Sequence, residues 1–104
     1  MSTTTRSGPS ALEIRLKQII ADHPDVSVHP HSPSGPYVRA VMWTARAGLL
    51  KGQCFWDPDT SRWVVRAMAL YDVLSAPTVV HPGSEADIPA AITSVITTVT
   101  NRMS

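Results

Sequence analysis

Apolar positions recur along this chain first at helical spacing, then in alternation, then at helical spacing again. Leu12, Leu16, Ile19 and Ile20 fall three and four apart, with Arg15, Lys17 and Gln18 on the other side. That period draws one apolar stripe along a helix. Ser10-Ala11-Leu12-Glu13 has the form of a capping box behind Pro9, and Pro24 forces the residue before it out of the helical region. A helix is therefore predicted over about 10–22. Near the other end Ile88, Ile92, Val95, Ile96 and Val99 repeat the helical period. Ser84 or Asp87 is placed to cap that helix, and Pro89 sits in its first turn, where proline is tolerated. Glu85 and Asp87 at its start and Arg102 at its end complement the helix dipole. Its many Thr and Val residues lower its intrinsic propensity, so packing must hold it.

Between the helices the pattern is that of strands. Tyr37 to Ala45 is rich in β-branched and aromatic residues, without Gly or Pro. Arg46-Ala47-Gly48 reads as a turn. Ala47 resists positive φ, so a three-residue turn with Gly48 left-handed is expected rather than a two-residue one. A second strand is expected over Leu49 to Asp57, then a turn at Pro58-Asp59-Thr60-Ser61 and a third strand from Arg62 to Tyr71, with Asp57 and Arg62 as an exposed pair at the turn. The prolines at 24, 30, 33 and 36 mark loop or edge, with Val26 and Val28 as a very short edge strand. Thr78-Val79-Val80 reads as a second brief strand.

Turn lengths fix register, and register sorts side chains by face. On the expected register one face collects Val38, Ala40, Met42, Thr44, Leu50, Gly52, Cys54, Trp56, Trp63, Val65, Ala67 and Ala69. It carries no charge, so the helices should lie on it, with Trp56 and Trp63 as a cross-strand core pair. The opposite face collects Tyr37, Arg39, Val41, Trp43, Lys51, Gln53, Phe55, Val64, Arg66, Met68 and Leu70. A two-residue first turn reverses this sorting for the first strand.

The predicted fold is α+β: a three-stranded antiparallel meander with an N-terminal and a C-terminal helix packed on one face, in the order α-β-β-β-α. A flexible tail over 1–9 precedes a single domain over 10–104. The element order resembles that of double-stranded-RNA-binding domains in topology alone. Where that family opens its last helix with a basic cluster, this chain has Glu85-Ala86-Asp87, and element order by itself implies no function.

Composition narrows the function classes. With 104 residues and 43% hydrophobic content, the chain is long enough for one packed core without staples. A net charge of +1 gives no strong field for steering a polyanion to the whole molecule. One cysteine excludes an internal disulfide and a cysteine-rich zinc site. Cys54 lies in an apolar run and reads as a buried thiol. There is no secretory signal and no run long and apolar enough to span a membrane, so a cytoplasmic protein is the simplest expectation.

Charge and aromatic content nevertheless gather in one segment. All six aromatic residues fall within 37–71, with five of the nine basic residues and two of the eight acids. Tyr37, Arg39, Val41, Trp43, Lys51, Gln53, Phe55, Arg66 and Met68 are the candidate site, since Met, Arg and aromatic residues are enriched in protein interfaces. The expected function is a non-enzymatic interaction domain, acting as a homodimer or as a subunit or adaptor in a protein complex. The alternative is a nucleic-acid-binding module in which aromatics stack bases while Arg39, Lys51 and Arg66 meet phosphates. A third reading, a small enzyme or metal protein, rests on His23, Asp25, His29 and His31. These lack a ligand spacing diagnostic of a metal, and neither a nucleophile elbow, a phosphate loop nor a dinucleotide fingerprint occurs. No catalytic residue, metal or cofactor is therefore assigned.

Overall fold

The computed structural model describes residues 11–35, 38–71 and 76–103. The expected tail over 1–9, Ser10 of the capping box and Tyr37 lie outside them. Helix α1 spans Ala11–Asp22, strands β1 to β5 span Val26–Val28, Ala40–Ala45, Leu50–Asp57, Arg62–Ala69 and Thr78–Val80, and helix α2 spans Ile88–Met103 after a short 3-10 turn at Glu85–Asp87. All neighbouring strands are antiparallel and follow chain order.

The class is α+β, but the sheet has five strands rather than three. Val26–Val28 and Thr78–Val80 pair with β2 and β4 as short edge strands, which extends the predicted α-β-β-β-α order at both margins. Short edges also leave little unpaired backbone for another chain to join. Both helices contribute to one hydrophobic cluster on one side of the sheet. Leu16 and Ile20 come from α1, and Ile88, Ile92, Val95, Ile96 and Val99 from α2. The helix α1 packs on β1 and β2, and α2 on β4 and β5.

The second hairpin has the expected register: Trp56 faces Trp63 and Asp57 faces Arg62. The first does not. Ala45 pairs with Leu50, one residue later than a three-residue turn requires. Its tight turn runs from Ala45 to Gly48, closed by Gly48 N–H donating to Ala45 O at 3.1 Å. Arg46 and Ala47 at its centre have φ of 53° and 56°. Four residues, 46–49, thus separate the paired Ala45 and Leu50, and an even loop length turns the first strand over just as a two-residue turn would; Ala47 takes the positive φ that alanine was expected to resist.

The consequence is a correction at two candidate site residues. Val41 and Trp43 point into the core and are fully buried; Ala40, Met42 and Thr44 take the opposite side. Magnitudes explain the outcome. Two non-glycine residues in the left-handed region cost roughly 2–4 kcal/mol. A tryptophan buries about 150–250 Å², worth about 4–6 kcal/mol at roughly 25 cal/mol per Å². The expected register would have buried Met42 and the Thr44 hydroxyl instead. Tertiary packing therefore overrides local turn preference.

Trp43 fits because of Gly52. The register aligns Val28, Trp43, Gly52, Ala67 and Thr78 across the sheet. The indole lies on Gly52, and a methyl group built there would fall inside the ring. Its Nε1–H is buried without a hydrogen-bond partner among the described residues. Such a donor costs about 1–3 kcal/mol.

Trp56 and Trp63 do pack edge to face, with centroids 5.2 Å apart. They are not the centre of the core, however. Trp56 is 38% exposed and Trp63 is half-buried. They occupy the next-to-last rung before the second turn, at that end of the sheet. Asp57 caps this turn rather than pairing with Arg62: its carboxylate accepts from Asp59 N–H and Thr60 Oγ1–H, both at 3.0 Å.

Gly52→Ala is expected to lower stability by at least ~1–3 kcal/mol, the range for overpacking, although alanine is the better strand residue. Urea unfolding of the purified variant measures this. An unchanged midpoint would mean that Trp43 does not lie against Gly52.

Candidate functional site

The side of the sheet away from the helices is built by parity. In β3 the residues between the core positions Leu50, Gly52 and Cys54 are Lys51, Gln53 and Phe55. In β4 the corresponding residues are Val64, Arg66 and Met68. All five candidate residues on these two strands, Lys51, Gln53, Phe55, Arg66 and Met68, lie where expected and are half-buried. Arg39 is exposed just before β2. Val41 and Trp43 are absent from this face, as shown above. Sequence reasoning missed Met42, Val79 and Pro77. Met42 belongs here by the corrected register, Val79 because it pairs with Arg66, and Pro77 because it lines the groove below. Val79 was legible once β5 is paired with β4, since alternation then puts it beside Arg66.

Arg66 is the organising side chain. Its Nε–H donates to Gln53 Oε1 at 2.7 Å, and its guanidinium carbon lies 5.2 Å from the centre of the Phe55 ring. The hydrogen bond and the cation–π contact together hold one rotamer of a long side chain. A groove of about 350 Å³ lies beside it, lined by Met42, Lys51, Gln53, Arg66, Met68 and Pro77, with the backbone of Gly52 and Ala67 beneath. A second, of about 440 Å³, shares Met42 and Gln53 and extends to Arg39 and the 33–35 loop.

Helix α1 fixes that loop. The Glu13 side chain is buried, its carboxylate accepting from Ser34 Oγ–H at 2.6 Å and Gly35 N–H at 2.9 Å and pairing with Lys17 Nζ at 3.0 Å. Burial alone would raise this carboxyl; the Ser34, Gly35 and Lys17 partners more than offset that and hold it below the ordinary carboxylate range. Glu13 is therefore a loop anchor as well as a candidate for the capping role read from sequence.

The histidines do other work. His23 Nδ1 accepts from Asp25 N–H at 3.1 Å, which leaves the proton on Nε2 to be donated to Thr93 Oγ1 at 2.9 Å. Thr93 in turn donates to Pro89 O at 3.2 Å. His23 thus ties the end of α1 to α2. His29 Nδ1 accepts from His31 N–H at 3.0 Å and shapes its own turn. Among the described residues, no group of three or more His, Cys, Asp or Glu is placed to hold a metal.

Cys54 is fully buried on the core side. Burial, and secondarily the Glu85 charge, push its thiol from 9.0 up to about 12. The thiolate that a nucleophile requires is not formed near neutral pH. Among the described residues, no helix is long and apolar enough to cross a membrane. No family model, curated protein or solved structure matches the chain.

The raised thiol gives a pH prediction with a definite sign. Above about pH 9 the unfolded chain loses the Cys54 proton while the folded chain keeps it, so stability falls with rising pH until about 12. The slope contributed is of the order of 1 kcal/mol per pH unit. Unfolding curves at several alkaline pH values, compared between the native chain and Cys54→Ala, isolate it. The variant should lose less stability between pH 9 and 11; parallel pH profiles would show that the thiol titrates alike in both states.

Proposed function

We propose that this chain is a small non-enzymatic interaction domain that binds a protein through the helix-free face of its sheet. The observation that carries the proposal is the asymmetry of that sheet. Both helices pack on one side, and on the other no described helix covers Met42, Phe55, Met68 and Val79. Two adjoining grooves run over this apolar ground. Apolar area of this kind, rimmed by polar and cationic groups, is the usual character of a binding surface. Short edge strands turn association away from the sheet margins and toward the face.

The corrected register weighs against nucleic acid. Trp43 was the largest stacking platform expected on this face, and it is in the core. Phe55 is already overlain by Arg66. Among the described residues, the remaining cations of this face lack the interleaved aromatics that single-strand binding uses. Of the two protein partners expected from sequence, a second copy and a different protein, the charge of the face favours a different protein, because a second copy brings the same cations.

Peptides selected from a random display library against the folded chain test this reading, with their binding mapped by backbone amide shifts. The expected shifts centre on Met42, Gln53 and Met68. Failure to select any peptide, or shifts confined to the outer sides of α1 and α2, would contradict it. Labelled oligonucleotides titrated in parallel should not bind at tens of micromolar protein, although even weak non-specific binders reach ~10⁻⁴–10⁻⁶ M.

A further inference from the structure

We infer that the groove beside Arg66 recognises an acidic, apolar segment of a partner protein: an apolar side chain seated between Met42 and Met68, with carboxylates on Arg66 and Lys51. The inference rests on the reading of the open face as a protein-binding surface and names what that surface selects.

Charge is the first argument. The five strands contain three cations, Lys51, Arg62 and Arg66, and one carboxylate, Asp57. Asp57 is at the far turn, occupied by Asp59 N–H and Thr60. Among the described residues, the ion pairs are Arg15–Glu85 and Lys17–Glu13, both involving α1. Lys51 and Arg66 therefore face the groove without an anionic counterpart from the described fold. They are diagonal neighbours across β3 and β4, since Lys51 pairs with Met68 and Gln53 with Arg66. Such neighbours are roughly 7–8 Å apart at the backbone, within reach of one bound segment.

Preorganisation is the second argument. Gln53 and Phe55 already hold the Arg66 side chain, so little rotamer freedom remains to be lost when a carboxylate arrives. Gln53 takes only Nε, which leaves the two terminal Nη groups to form a fork with a carboxylate. The apolar surroundings strengthen the attraction by reducing solvent screening.

Shape supplies the third. The groove is apolar at Met42, Met68 and Pro77, and methionine adapts to varied apolar side chains. A facing second copy would set Lys51 and Arg66 against like charges, which costs specificity and affinity. An apolar, acidic segment matches both properties at once.

The test uses two short synthetic peptides, one alternating leucine with glutamate and the other leucine with glutamine. They are titrated against the full chain by calorimetry. The glutamate peptide is expected to bind at least ~tenfold more tightly, about 1.4 kcal/mol, with an advantage that salt reduces. Arg66→Gln and Lys51→Gln should each remove most of that advantage. Lys51→Gln leaves the Phe55 stack intact, so it remains informative if Arg66→Gln perturbs folding. Equal binding of both peptides on the open face would overturn the acidic preference and leave the proposed function standing. Binding of neither these nor any library-selected peptide would remove both. A concentration-dependent dimer strengthened by Arg66→Gln would identify a second copy as the occupant and overturn the inference. Tighter binding of an oligonucleotide or an anionic vesicle than of the glutamate peptide would do the same.

Discussion

One contact between a large residue and a missing side chain decides which way this sheet faces. The Trp43 indole packs directly on Gly52, its register neighbour. A glycine within a strand ordinarily weakens it, having no side chain to pack and more backbone entropy to lose. Here the bare backbone provides the space into which the indole settles. Ala67 on the next strand keeps that space open. Once Trp43 is seated, strand alternation leaves no freedom for β2: Val41 and Ala45 must accompany it inward, while Ala40, Met42 and Thr44 must turn outward. The composition of the open face is thus a consequence of what the core accepts.

The helices and loops are arranged around that choice. Helix α2 supplies a dense row of branched side chains over β4 and β5, and α1 lies over β1 and β2. Polar contacts then fix their placement: His23 with Thr93, Arg15 with Glu85, and Glu13 with the Ser34–Gly35 loop. The exposed Arg15–Glu85 pair adds little stability on its own. Glu13 matters more for the surface, because the loop it holds is one wall of the second groove. A buried carboxylate on α1 therefore shapes a face that α1 never touches.

Much of this was legible in the sequence, for physical reasons that can be named. Both helices were visible because their apolar residues follow one period over several turns, too consistent for loop or strand. The second hairpin was visible because Pro58 sits at the favoured early position of its turn, and Lys51, Gln53, Phe55, Arg66 and Met68 were placed on their face through it. The first hairpin was not, because its register depended on Arg46 and Ala47 adopting a conformation that each resists locally. Only the long-range burial of Trp43 outweighs that resistance, and burial is not a local property. The signal that was available was Gly52: a glycine at the centre of an aromatic-rich strand marks close approach by something large. The edge strands were seen as segments, but three residues are too few for sequence to show that they join the sheet. Arg66's contacts with Gln53 and Phe55 depend on rotamers that no pattern encodes.

The register and the open face both depend on Trp43 lying in the core while Trp56 and Trp63 lie at the outer end of the sheet. Tryptophan fluorescence of the variant Trp56→Phe/Trp63→Phe, in which Trp43 is the sole emitter, tests this most directly. A buried Trp43 gives a blue-shifted emission that acrylamide and iodide barely quench until the chain is unfolded. A red-shifted emission, quenched in the folded chain as readily as in urea, would put Trp43 on the open face and contradict both the register and the surface derived from it.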